Sequence, residues 1–188
     1  MASLRYVQPS EDDPGIGFSL ELLGYESGRG LTYETAQRKV NFEFNFDWFV
    51  CQLWIEILGK KIEPRTNSMD YQELPHFIEW LRQLQFGKDA AFETIEPFFR
   101  MEFRPAYGMT YGYLHIYSGV AVGFPVTGPQ IIKFANELER EFMNLQNRYS
   151  KDLELWNEYK TLPSAGPPRK CRQKGRTHNV ADSCVASS

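Results

Sequence analysis

Asn41–Ile57 reads NFEFNFDWFVCQLWIEI, and this stretch decides the fold. Phe42, Phe44, Phe46 and Trp48 occupy every second position, with Asn41, Glu43, Asn45 and Asp47 between them. Period two is the mark of a strand with one apolar and one polar face. After Trp48 the phase changes, and Phe49, Cys51, Leu53, Ile55 and Ile57 become the apolar set. A strand cannot exchange faces without a fault, so a tight turn or a bulge is expected near Asp47–Phe49. An aromatic row at this spacing is read as the buried face of a sheet under helices rather than as a ligand-binding wall.

Upstream, Ile16, Phe18, Leu20 and Leu22 alternate with Gly17, Ser19 and Glu21, a second half-buried strand. GYESGRG at 24–30 reads as a glycine-rich loop, and residues 1–15, ending in EDDPG, as an irregular lead-in. Downstream, residues 62–69 read as a loop. Asp70 and Glu73 mark a helix start, followed by Leu74, Phe77, Ile78, Leu81 and Leu84 at helical spacing, with Gly87 as the stop. FETIEP and FFRMEFRP (92–105) suggest two strands, the second alternating Phe99, Met101 and Phe103 with Arg100, Glu102 and Arg104. PAYGMTYG (105–112) is a turn region. Leu114, Ile116, Val120, Val122 and Phe124 then suggest one long strand with a fault near Gly119. Thr127-Gly-Pro-Gln130 opens a second helix whose apolar face runs from Ile131 to Tyr149 and has room to continue through Leu155 and Trp156.

The expected fold is α+β: an antiparallel β-sheet of about five to six strands with two α-helices packed on one face. Residues 16–160 are expected to form a single α+β domain, with the lead-in 1–15 before it and a disordered basic tail, 161–188, after it.

Charge and cysteine usage narrow the function classes. The formal net charge is −3, without the basic excess typical of nucleic-acid binding, so no specific nucleic-acid partner is expected. Pro163–Ser188 carries Arg169, Lys170, Arg172, Lys174 and Arg176 against Asp182, a net +4, which leaves −7 on the rest of the chain. An acidic body suits a basic partner. Cys51, Cys171 and Cys184 are odd in number and irregularly spaced, which argues against a disulfide framework. No apolar run has the length of a membrane span, and the first residues have no apolar core of the signal-peptide type. The expected setting is the cytoplasm, away from membranes.

No constellation points to catalysis. His76, His115 and His178 have no nucleophile and no partner carboxylate at a telling spacing, and Cys171, His178 and Cys184 lack the paired spacing of a zinc site. The chain is expected to be no enzyme, with no catalytic residue, no cofactor and no metal. What remains is a polar sheet face. Glu43, Asn45 and Asp47, together with Arg100, Arg104, Tyr111, Tyr113, His115 and Tyr117, are the candidate partner-binding residues, because tyrosine buries area and still offers a hydroxyl. The alternative is a small-ligand-binding or enzymatic domain with a pocket between sheet and helices near His115. A third reading makes helix 128–149 a homodimer face.

Several of these segments fall in a familiar order. A strand carrying Asp47-Trp48 precedes a helix of the form LxxFIxWLxxL (74–84), then AFETIEPFFRMEF (91–103), a strand opening with Gly112-Tyr113-Leu114, and a closing helix. Across about residues 16–149 this layout resembles the WapI-type family of small bacterial immunity proteins. The resemblance implies a non-enzymatic protein that neutralises a cognate toxin by binding it and occluding its active surface, with no catalytic residues to carry over.

Overall fold

The computed structural model describes residues 1–6, 15–34, 39–58, 60–95, 98–116 and 119–161. Among them the chain runs through β1 (Ala2–Tyr6), β2 (Ile16–Glu34), β3 (Lys39–Ile57), β4 (Lys60–Asp70), α1 (Glu73–Gln83), β5 (Ala90–Glu93), β6 (Phe99–Ala106), β7 (Met109–Ile116), β8 (Val120–Val126), α2 (Gly128–Arg148) and α3 (Ser150–Thr161). The fold is α+β, and every pairing is antiparallel. The strands form two four-stranded meanders, β1-β2-β3-β4 and β5-β6-β7-β8, rather than one sheet of five to six strands, and the described helices number three rather than two.

The extra strands come from segments whose composition hides them. Part of the expected irregular lead-in is β1, and the expected loop 62–69 lies within β4. Both are edge strands, where one side of the ladder is unpaired, so polar residues and even Pro64 are tolerated. The expected loop 24–30 is continuous with β2: Gly24 pairs with Val50, and Gly28 and Gly30 fall in an irregularity in register between Ser27 and Leu31. The expected long strand after Gly112 is instead the hairpin β7–β8. Gly119 turns with φ +94°, and its N–H donates to the Ile116 carbonyl at 2.9 Å.

The opening stretch behaves as its phase requires. Phe42 and Phe46 are buried, and beyond the fault Phe49, Cys51, Leu53 and Ile55 are buried. Tyr25 faces Phe49 while the next residue, Glu26, faces Asn45. Residues Phe46–Trp48 therefore bulge out of the β2 ladder, which is how one strand presents two phases to one core.

Local chemistry sets the helix starts. Gln72 N–H donates to Asp70 Oδ1 at 2.8 Å and Asp70 N–H donates to Glu73 Oε2 at 3.3 Å, a reciprocal arrangement ahead of α1. The other oxygen of the buried Glu73 accepts from Ile95 N–H, which ties the start of α1 to the second sheet. Thr127 and Gln130 make a complete capping box at α2. Two carboxylates of α2 serve the first sheet: Glu137 accepts from Ser3 N–H at 3.2 Å and Glu141 from Leu22 N–H at 3.4 Å.

One core joins all layers. Phe18 of β2 meets Phe124 of β8 at 6.2 Å and Phe134 of α2 at 5.3 Å. Phe77 of α1 meets Phe92 and Phe99 of the second sheet at 4.7 and 5.5 Å. Each such fully buried side chain contributes about 1.5–3 kcal/mol. The helical segment bends at Tyr149, and α3 then lays Trp156 across Phe42 and Phe46 at 4.9 and 5.7 Å.

Candidate functional site

The second sheet turns its apolar side to the helices. Phe99, Met101 and Phe103 of β6 are buried, as are Gly112, Leu114 and Ile116 of β7. Alternation then forces Arg100, Glu102, Arg104, Tyr111, Tyr113 and His115 onto the other face. The register pairs Arg100 with His115, Glu102 with Tyr113 and Arg104 with Tyr111, while β8 sets Ala121, Gly123 and Pro125 beside His115, Tyr113 and Tyr111.

Glu102 is the centre of this face, although its side chain is only 8% exposed. Arg100 Nε lies 2.7 Å from Oε1, an ion contact rather than an aligned hydrogen bond. Arg104 Nη2 donates to Oε2, and His115 Nε2 stands 3.8 Å from the same oxygen. Arg100 also reaches Glu93 of β5 at 3.5 Å. Burial pushes the Glu102 carboxyl up, but the hydrogen bond from Arg104 and the charges of Arg104, Arg100 and His115 outweigh it and hold the pKa below the usual glutamate value. The carboxylate is therefore ionised at neutral pH.

Two aromatic rings share this face. Tyr111 and Tyr113 stack with centroids 6.4 Å apart and planes 28° off parallel, and the Arg104 guanidinium sits 5.7 Å from the Tyr113 centroid. The Tyr113 ring lies flat across Gly123. A β-carbon on that glycine would fall 2.6 Å from the ring, so only glycine admits this pose.

The candidate residues do not form one face. Glu43, Asn45 and Asp47 belong to β3 of the first sheet; Arg100, Arg104, Tyr111, Tyr113 and His115 belong to the second, and among the described residues no ladder joins the two. Glu43 is exposed. Asn45 Oδ1 accepts from Asp47 N–H at 3.3 Å within the bulge. Asp47 Oδ1 takes the Lys160 ammonium at 2.6 Å and the Trp156 indole N–H at 3.4 Å, so this carboxylate is engaged with α3. Tyr117 lies outside the described residues, as do Cys171, His178, Cys184 and the tail. His115 is on the face opposite the helices and so does not line the space between sheet and helices where a pocket was expected near it; Leu114 and Ile116 take the inward positions.

Glu102 was missed as a site residue because an outward acid on a strand ordinarily means solvation. The available signal was Arg100-x-Glu102-x-Arg104, two arginines on one face that need an anion between them. A groove of about 460 Å³ between Asp47, Trp48, Tyr71, Trp156 and Lys160 was also not foreseen, because α3 closes it from far along the chain.

Chemically the described face offers charge, hydrogen bonds and flat aromatic area. Among the described residues no cluster of three or more His, Cys, Asp or Glu could hold a metal. The Cys51 thiol is pushed up to about 12 by burial and by Glu73 and Glu141, so it is no nucleophile. No described helix is long and apolar enough to cross a membrane.

Comparison with known proteins gives one family. The Immunity protein WapI-like family matches residues 10–146. Among curated proteins none matches. Two solved structures are loosely similar. The plant transcriptional regulator PBF-2 shares 9% identity over 82% of this chain and 88% of its own, with a TM-score of 0.39. WHY1 from Arabidopsis thaliana shares 7% over 89% and 98%, with a TM-score of 0.40. Likeness this loose carries nothing about role.

Proposed function

The chain belongs to the WapI-like immunity protein family, and from that premise we propose that it neutralises a cognate toxin by covering the toxin's working surface with the outer face of the second sheet. The observation that supports this reading is the Glu102 cluster. A shielded carboxylate holds Arg100 and Arg104 in place beside a stacked tyrosine pair, which gives a flat face whose side chains are ordered before any partner arrives. Preordered tyrosine and arginine are the side chains that carry most energy at protein interfaces, because little entropy is lost when they dock. The face itself is of mixed charge, so it sets register. The acidic balance outside the basic tail favours encounter with a basic toxin. The role is stoichiometric occlusion and uses no covalent chemistry.

The test is capture by the tagged protein from its host lysate, followed by titration of the captured toxin. Tyr113→Ala and Arg104→Glu are expected to weaken binding at least tenfold while preserving the far-UV spectrum. Glu43→Lys, on the other sheet, is expected to leave affinity intact. The opposite pattern would move the docking face to the first sheet, and the absence of any toxin at near-equal stoichiometry would defeat the immunity reading.

A further inference from the structure

Tyr149 joins α2 to α3 without interrupting the helical ladder. Its N–H donates to the carbonyls of Leu145 at 3.3 Å and Gln146 at 3.2 Å, and its own carbonyl accepts from Leu153 N–H at 2.9 Å. The bend is made by its torsions, φ −112° and ψ 19°. Helix kinks usually have a proline, a glycine or an inserted group as their cause. Residues 130–162 contain neither proline nor glycine. Neither residue type therefore accounts for the bend, and the Tyr149 ring is itself held on the first sheet, 5.3 Å from Tyr25, 5.1 Å from Phe44 and 6.1 Å from Phe46.

What it reaches is a groove on the first sheet. Trp156 and Tyr159 are the buried residues of α3. They stand edge-on to Phe42 at 4.9 and 5.8 Å, Trp156 also packs on Phe46, and Lys160 closes on Asp47 at 2.6 Å. The family match ends at residue 146, so α3 lies beyond the matched residues.

We propose that α3 is exchanged between two copies of this chain. With Tyr149 in helical torsions, α2 and α3 run on as a single helix about 50 Å long, at about 1.5 Å per residue. Its Trp156, Tyr159 and Lys160 then fill the Phe42–Phe46–Asp47 groove of the second copy, whose own α3 fills the first. The occupant is a second copy because the contacts required are those already made within one chain, so exchange preserves them and relieves the bend. Dissociation of α3 without exchange would leave Phe42 and Phe46 exposed, which drives refilling of the groove.

Charge reversal in two halves tests this. A copy carrying Lys160→Glu opposes Asp47 with a like charge, and so does a copy carrying Asp47→Lys oppose Lys160, whether closed on itself or paired with its own kind. When the two are mixed, exchange restores an opposite-charge pair in both grooves. Light scattering on a sizing column, over about 5–500 µM, is expected to show predominantly heterodimer in the mixture and mostly monomer in each variant alone. In the otherwise unaltered chain, Ser150→Ala is expected to raise the dimer fraction several-fold and Ser150→Gly to lower it, because the site is exposed and only helix continuity changes. Monomer throughout, in the mixture and in Ser150→Ala, would overturn the proposal. So would a dimer that Met143→Glu, on the exposed side of α2, abolishes while the charge-reversed mixture shows no preference.

Discussion

Replacing Glu102 by Gln keeps the shape of the side chain and removes the charge that holds Arg100, Arg104 and His115 together. Breaking a fully buried ion pair costs about 3–5 kcal/mol. Here the carboxylate is shielded, but the Arg100 and Arg104 side chains are 43% and 59% exposed, so water repays much of their loss. Surface pairs are worth about 0–1 kcal/mol. A shielded anion between half-exposed cations falls between these limits, and the expected cost is about 1–2 kcal/mol. For a chain of this size that is a fall in Tm of about 2–8 °C. The pH dependence identifies the cause. The folded pKa of Glu102 is depressed, so its contribution is complete above the unfolded value of about 4.3 and is lost as pH falls through the lower folded value. Thermal unfolding followed by circular dichroism should therefore show the gap between parent and variant at pH 7 and its closure in acid below about pH 4. Equal melting temperatures at pH 7, or a gap that persists unchanged into acid, would refute the reasoning.

Three further outcomes follow from particular geometries. Gly123→Ala should displace the Tyr113 ring and cost about 1–3 kcal/mol, visible as shifted Tyr113 ring resonances by NMR; unchanged resonances would contradict the close approach. Tyr107 turns the β6–β7 hairpin with φ +51° beside Gly108 at φ +74° and is 94% exposed, so Tyr107→Asn should raise stability by about 0.5–1 kcal/mol in urea unfolding, since asparagine accepts this conformation and no packing is lost. Cys51 should resist iodoacetamide at pH 8 until denaturant is added, and alkylation in the native state at the rate of a free thiol would contradict its burial and raised pKa.

The legibility of this chain follows the range of the interactions involved. The phase change in Asn41–Ile57, the Thr127–Gln130 capping box and the helix that follows Asp70 were readable, although the N-cap is Gln72 rather than Asp70, because each depends on neighbours within a few residues. The outward placement of Arg100, Arg104, Tyr111, Tyr113 and His115 was readable for the same reason, since period two fixes which side chains share a face. The layout that identifies the immunity family was readable as short motifs in order.

What only the tertiary structure decided was partition. Whether eight strands make one sheet or two depends on which edges find partners, and β1 and β4 look like loops because an edge strand need not be apolar. That partition separated Glu43, Asn45 and Asp47 from the arginine and tyrosine face. It also gave Asp47 to Lys160, 113 positions along the chain, and made Glu102 a shielded anchor instead of a solvated acid. The bend at Tyr149 is of the same kind: no proline or glycine accounts for it, and the rings that Tyr149 and α3 pack on belong to strands more than a hundred residues earlier. Alternation is a property of a single strand and is written in the sequence. Pairing of sheets and burial of charge depend on contacts between distant segments, and those are settled only when the chain closes on itself.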